Sequence, residues 1–212
     1  MWISSQWSCF KKGKRGFTLI ELLVVISIML ILTSVFVLNQ RRFQSSTLLR
    51  SLAYSVALSV RQAQVYGSSI RESAAGAFDT NSSAKAYGIY FSTGSSGTYV
   101  LFADSNNNGQ YDAGGGETVQ TFTLGSGYTI NKFCVTNTSN TQVCSPTITT
   151  MTVLFRRPNP DSCFASSASP SACAVGVAAV YKSGYVQIKN GNDTRSVNVT
   201  LTGQITVGAQ GS

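Results

Sequence analysis

One uninterrupted apolar run constrains this chain before anything else does. Across residues 17–38, 22 positions, nothing carries a charge except Glu21, and Lys11, Lys12, Lys14 and Arg15 stand directly ahead of the run. At a rise of ~1.5 Å per residue, a helix over it would be ~33 Å long, enough to cross a ~30 Å hydrocarbon layer. It reads as a membrane span. The basic cluster holds its own end on the cytoplasmic side and sends the following chain across, so residues beyond 40 are expected outside the cytoplasm.

A secretory signal has a shorter apolar core with a small-x-small site after it, whereas here the small residue, Gly16, comes before the run. A carboxylate within an apolar helix costs ~2.5 kcal/mol or more at mid-membrane, so Glu21 is expected to be kept where something answers its charge. Two answers are open. In one, an uncut anchor leaves Glu21 near the interface among headgroups. In the other, cleavage after Gly16 gives Phe17 a new α-amino group, and that amine on a neighbouring copy serves as the cation.

The ordered stretch Gly16-Phe17-Thr18-Leu19-Ile20-Glu21-Leu22-Leu23-Val24-Val25 resembles the class III signal of type IV pilins and type II secretion pseudopilins. The resemblance implies that a prepilin peptidase cuts between Gly16 and Phe17 and methylates Phe17. It places the family's assembly glutamate on Glu21. Residues 1–16 are then a leader, and the partners are the peptidase, the inner membrane and other pilins or pseudopilins that pack through the N-terminal helix. The localisation implied is the inner membrane, single-pass, with later extraction into a pilus or pseudopilus. The pattern further on is similar to the GspH/FimT branch of minor pilins.

Beyond the span the helical period continues. Leu49, Leu52, Ala53, Val56, Val60 and Ala63 recur at three and four residues, while Arg50, Ser51, Ser55 and Arg61 fall off that stripe. No proline interrupts residues 17–66, and Gly67 is expected as the stop just past the helix. One helix over 17–67 results, its stripe packing on the chain's own sheet. Residues 68–86 read as a surface connection. Strand-like runs follow at 87–91, 99–103, 118–124, 128–135, 147–155, 174–181, 185–189, 195–202 and 204–207, with turn signals at Gly94, Gly184 and Gly191 between them. Sequential hairpins imply antiparallel sheets, and a helix covering them makes an α+β architecture, the pilin fold. The organisation expected is therefore leader 1–16, helix 17–67 with its span at 17–38, and a β-rich extracytoplasmic domain at 68–212.

The charge balance removes some function classes. Lys and Arg number 16 against 8 Asp and Glu, a net +8; four of those charges lie in the leader, leaving +4, which is not a nucleic-acid-binding signature. With no histidine, no G-x-S-x-G elbow and no phosphate-cradling glycine loop, nothing points to an enzyme. Cys9 lies in the leader. Cys134, Cys144, Cys163 and Cys173 remain, an even number suited to an oxidising destination, with three possible pairings. The local ones, Cys134 with Cys144 and Cys163 with Cys173, are favoured. The spacing does not suit metal binding by these thiols.

One loop has ligand-like chemistry. Asp104, Asn106, Asn108 and Asp112 place oxygens at intervals with Gly109 sixth, as in the first half of an EF-hand loop, but Gly115 stands where the closing carboxylate belongs. Glu117 could replace it only if Gly114-Gly115-Gly116 bends the loop back. The loop is thus either a structural turn or a weak Ca²⁺ site, and no other cofactor is indicated.

The function expected is that of a minor pilin, a structural subunit incorporated into or priming a type IV pilus. The alternatives are a minor pseudopilin of a type II secretion system and a minor pilin that binds DNA for uptake. For the last, the FimT-like Gly-Arg-x-Arg stretch is replaced by Gly203-Gln204-Ile205-Thr206, without either arginine. DNA is therefore an unlikely partner, and only Arg156, Arg157, Lys182, Lys189 and Arg195 could supply a basic face.

Overall fold

The computed structural model describes residues 16–69 and 86–208, with backbone alone for 38–44. The basic cluster, Cys9 and most of the connection between helix and domain lie outside the described residues. Two compact units are present, residues 1–44 and 45–212. Helix α1, Leu19–Ser68, contributes to each.

In the first unit Leu19–Val37 is the one helical stretch among the described residues that is long and apolar enough to cross a membrane, and none of it is buried against the rest of the chain. Its hydroxyls bond back to the helix itself: Ser27 to the Leu23 carbonyl at 2.8 Å, Thr33 to that of Met29 at 2.6 Å and Ser34 to that of Ile31 at 2.8 Å. Polar groups satisfied in this way can enter lipid at little cost.

The second unit is built on the later part of α1 and ten strands. These are β1 (Ala86–Ser92), β2 (Thr98–Asp104), β3 (Thr118–Thr123), β4 (Thr129–Asn137), β5 (Gln142–Cys144), β6 (Thr150–Phe155), β7 (Ser162–Ser166), β8 (Tyr181–Asn190), β9 (Asp193–Thr200) and β10 (Ile205–Gly208). They form two five-stranded sheets, ordered β3-β2-β1-β6-β7 and β10-β9-β8-β4-β5, and every pairing is antiparallel. The architecture is α+β, as expected. Leu49, Ala53, Val56, Val60 and Ala63 of the helix are buried in one core with Ile89, Phe91, Leu101 and Val153 of the first sheet and Phe133, Val186, Ile188 and Val197 of the second. Leu52, expected on the same stripe, is only half-buried.

Three expectations need correction. Residues 174–180 are not a strand: β8 starts at Tyr181, and Ala174 follows a short 3₁₀ turn at Pro170–Cys173. Two strands are additional, β5 and β7, and both are edge strands anchored by a cysteine. Gly67 is not a left-handed stop. It lies inside the last turn of α1, and a Cβ there would collide with the Phe155 carbonyl oxygen, so its missing side chain serves to bring the helix down onto the end of β6.

Candidate functional site

At the N-terminus Gly16, Phe17 and Thr18 precede the helix. Phe17 is 82% exposed, and a Cβ at Gly16 would meet nothing within 4 Å. Thr18 is the cap: its Oγ1 accepts from the Glu21 amide at 3.3 Å, and its carbonyl accepts from the Leu22 amide at 3.2 Å. Thr-x-x-Glu ahead of an apolar run is a capping-box signature that would have placed the helix start at Leu19 rather than at Phe17. Glu21 thus occupies the first turn, where a carboxylate also favours the helix dipole. Its side chain is exposed, and the only ion pair among the described residues is elsewhere, between Arg156 and Asp104. Gly16, Phe17 and Glu21 therefore share one exposed end of the span, with the junction between the first two in non-helical chain.

The Asp104 loop is placed at the end of β2, and its side chains fold inward. Asp104, fully buried, accepts the Asn108 amide on Oδ1 at 3.1 Å and the Gly109 amide on Oδ2 at 3.0 Å. The Asn106 Oδ1 accepts the Asn108 amide at 3.0 Å, and the Asn108 Oδ1 accepts the Gln110 amide at 2.8 Å. Both asparagines turn their amide nitrogens to Asp112 Oδ2, at 2.8 Å each. Glu117 does bend back, through Gly116 at φ 72°: it accepts from the Ser105 amide and hydroxyl at 3.0 Å and from the Asp112 amide at 2.9 Å. Both asparagine oxygens and both Asp104 oxygens thus close the loop. Among the described residues no group of three or more His, Cys, Asp or Glu side chains is placed to hold a metal ion.

Burial, with the neighbouring Glu117 charge, pushes the Asp104 carboxyl above its ordinary value, against the opposing effects of the Gly109 amide and Arg156. The Arg156 guanidinium is 3.5 Å from Asp104 Oδ2 and donates to the Cys173 carbonyl at 3.2 Å. The loop therefore packs on the second disulfide, and a Cβ at Gly109, where φ is 79°, would meet the Cys173 backbone. The return of Glu117 was legible in the glycine run, whereas Arg156 as the half-buried counter-charge was not legible from spacing.

Cys134 is bonded to Cys144 across the β4–β5 pair, with Cα atoms 4.0 Å apart, and Cys163 to Cys173 with Cα atoms 5.7 Å apart. Of the five basic residues, Arg156 is engaged in the loop, and Lys182, at a bulge of β8, donates to the Asn140 side-chain oxygen. Gly203, at φ 76°, opens the turn into β10, and its carbonyl accepts from Gln64 at 3.1 Å.

Residues 11–37 match the family described as the prokaryotic N-terminal methylation motif. The match covers the basic cluster, the Gly16–Phe17 junction and the span. It makes the chain similar to type IV pilins and pseudopilins at this end, and it implies processing by a prepilin peptidase and assembly with other pilins. No curated protein and no solved structure matches the chain.

Proposed function

We propose that this chain is a minor pilin, made as a precursor, cut between Gly16 and Phe17, methylated on Phe17 and incorporated into a type IV pilus or used to prime one. The observation that carries the reading is the N-terminal arrangement. An exposed glycine–aromatic junction lies two residues ahead of a capped apolar helix whose one carboxylate is in its first turn, and the whole falls within the methylation motif. A peptidase needs its scissile bond as extended chain, and Thr18 ends the helix just short of it. The basic residues ahead of Gly16 keep that bond at the cytoplasmic face, and the β-rich unit lies on the other side of the membrane.

Once cut, the Phe17 ammonium and Glu21 are an opposite pair that one copy cannot use fully but two staggered copies can. When the span leaves lipid to pack against other spans, an unpaired Glu21 stays costly, and a neighbour's ammonium offsets that cost only at one axial offset. N-terminal sequencing of protein from intact cells tests the processing step. A mature terminus at Phe17, and an uncut, unassembled precursor for Gly16→Val, are the expected results; a wild-type terminus at Met1 would end the proposal. Which machine retains the mature chain, a pilus or a secretion pseudopilus, is read by co-purification with the other subunits of each.

A further inference from the structure

The later part of α1 carries apolar residues away from the core as well as toward it. Tyr54 is 54% and Leu58 69% exposed. Arg50, Tyr54, Leu58 and Arg61 follow one another at steps of four, four and three, so they form a single line along the helix. Beside this line runs β10. Tyr54, Ala57, Leu58 and Arg61 on the helix, Gln204 just ahead of the strand, and Ile205 and Val207 on it line a groove of about 450 Å³. The groove continues into a smaller hollow of about 180 Å³ between Arg50, Tyr54, Arg195 and Val207.

Two properties of this groove select its occupant. First, β10 is the edge of its sheet: it pairs with β9 over Ile205–Gly208, and no described strand covers its other side. A bare edge offers backbone donors and acceptors to one more extended chain. Second, its charge has one sign. Arg50, Arg61 and Arg195 line it, no Asp or Glu does, and none of the three is in an ion pair among the described residues.

We infer that the groove between α1 and β10 takes an extended acidic segment of a partner protein, added as a further strand along β10, with carboxylates on the arginines and an apolar side chain on Tyr54 and Leu58. The geometry limits the segment. Arg50 and Arg61 are eleven residues apart on the helix, ~16 Å at the helical rise, which an extended chain covers in ~5 residues. Side chains alternate along a strand, so two carboxylates facing the helix stand four or six positions apart, and the long arginine side chains absorb the difference. A phosphodiester chain would use the arginines but gain nothing from a strand edge or from Leu58, Ile205 and Val207, and Tyr54 is the one aromatic ring lining the groove.

The test uses the full chain in detergent micelles and a fluorescein-labelled peptide, Thr-Glu-Thr-Val-Thr-Glu-Thr, followed by anisotropy. Saturable binding that weakens with salt is expected, with about tenfold loss for the Arg50→Glu, Arg195→Glu double variant and for Leu58→Asp. Both variants change exposed or half-exposed side chains, and unchanged melting temperatures will show that they fold. A peptide with glutamine for glutamate should bind far more weakly. Absence of saturable binding at millimolar peptide, equal binding of the glutamine peptide, or unaffected binding by the folded variants overturns the inference. So does an oligothymidylate that binds more tightly and displaces the peptide, which would make the groove a nucleic-acid surface. Peptide binding by the unassembled chain does not depend on cleavage or filament entry, so failure here leaves the proposed function standing.

Discussion

Glu21 does two things at the level of a single residue, and they can be separated. Its backbone amide donates to the Thr18 hydroxyl that caps the helix, a bond that survives any change of side chain except to proline. Its carboxylate carries the one charge in residues 17–38. Glu21→Gln and Glu21→Ala both keep the cap bond and delete the charge. If the charge sets register between copies, both variants should insert, be cleaved and then enter the filament poorly in a crosslinking assay, with Glu21→Asp intermediate. Wild-type incorporation of Glu21→Gln would assign the residue to its own helix alone. Asp104 gives a prediction of the opposite kind, on pH. Its folded pKa is raised by burial, so between the ordinary carboxylate value and that raised one the folded chain binds more protons than the unfolded chain. The stability contributed by this group is fullest below about pH 4 and is lost as pH rises through the folded value. The melting temperature of the wild type relative to Asp104→Asn should therefore rise on acidification from neutral pH, and a constant difference would show that Asp104 does not titrate in that range.

At the level of elements, the loop between β2 and β3 behaves as a self-closed turn. Its oxygens accept backbone amides, and the asparagine nitrogens donate to Asp112. We infer that millimolar Ca²⁺ leaves the melting temperature of the full chain unchanged. A clear rise would mean that Asn106 and Asn108 exchange these bonds for a metal. Gly67 gives a second test. Alanine is ordinarily worth about 1 kcal/mol more than glycine inside a helix, but here its methyl group would strike the Phe155 backbone, so Gly67→Ala should lose about 1–3 kcal/mol net in thermal or denaturant unfolding. The helix itself was legible because its apolar stripe has a plain 3.6-residue period. Its use of Gly67 was not, because a close approach between helix and strand leaves no local sign beyond the glycine. Residues 174–180 misled for a related reason: Val175 and Val177 form a strand-like alternation, yet both are exposed. The period was present without a sheet to receive it.

For the whole molecule, the antiparallel character and the α+β layering followed from hairpin signals, but the order of strands did not. β1 lies beside β6 and β4 beside β8, pairings set by long-range contacts between runs of similar composition. Edge strands β5 and β7 were too short and too polar to stand out, and each is fixed to its neighbourhood by a disulfide, Cys134–Cys144 or Cys163–Cys173. The seam at Gly67 has a mechanical consequence. A chain anchored by its N-terminal helix and pulled from its β-rich end carries tension through the later part of α1 into the fold. That helix is seated on β6, which has β1 on one side and β7 on the other. Load arriving there is shared by hydrogen bonds on both flanks, whereas load delivered to an edge strand would peel one ladder open bond by bond. The same contact that seats the last turn of the helix makes a clamp placed to resist traction.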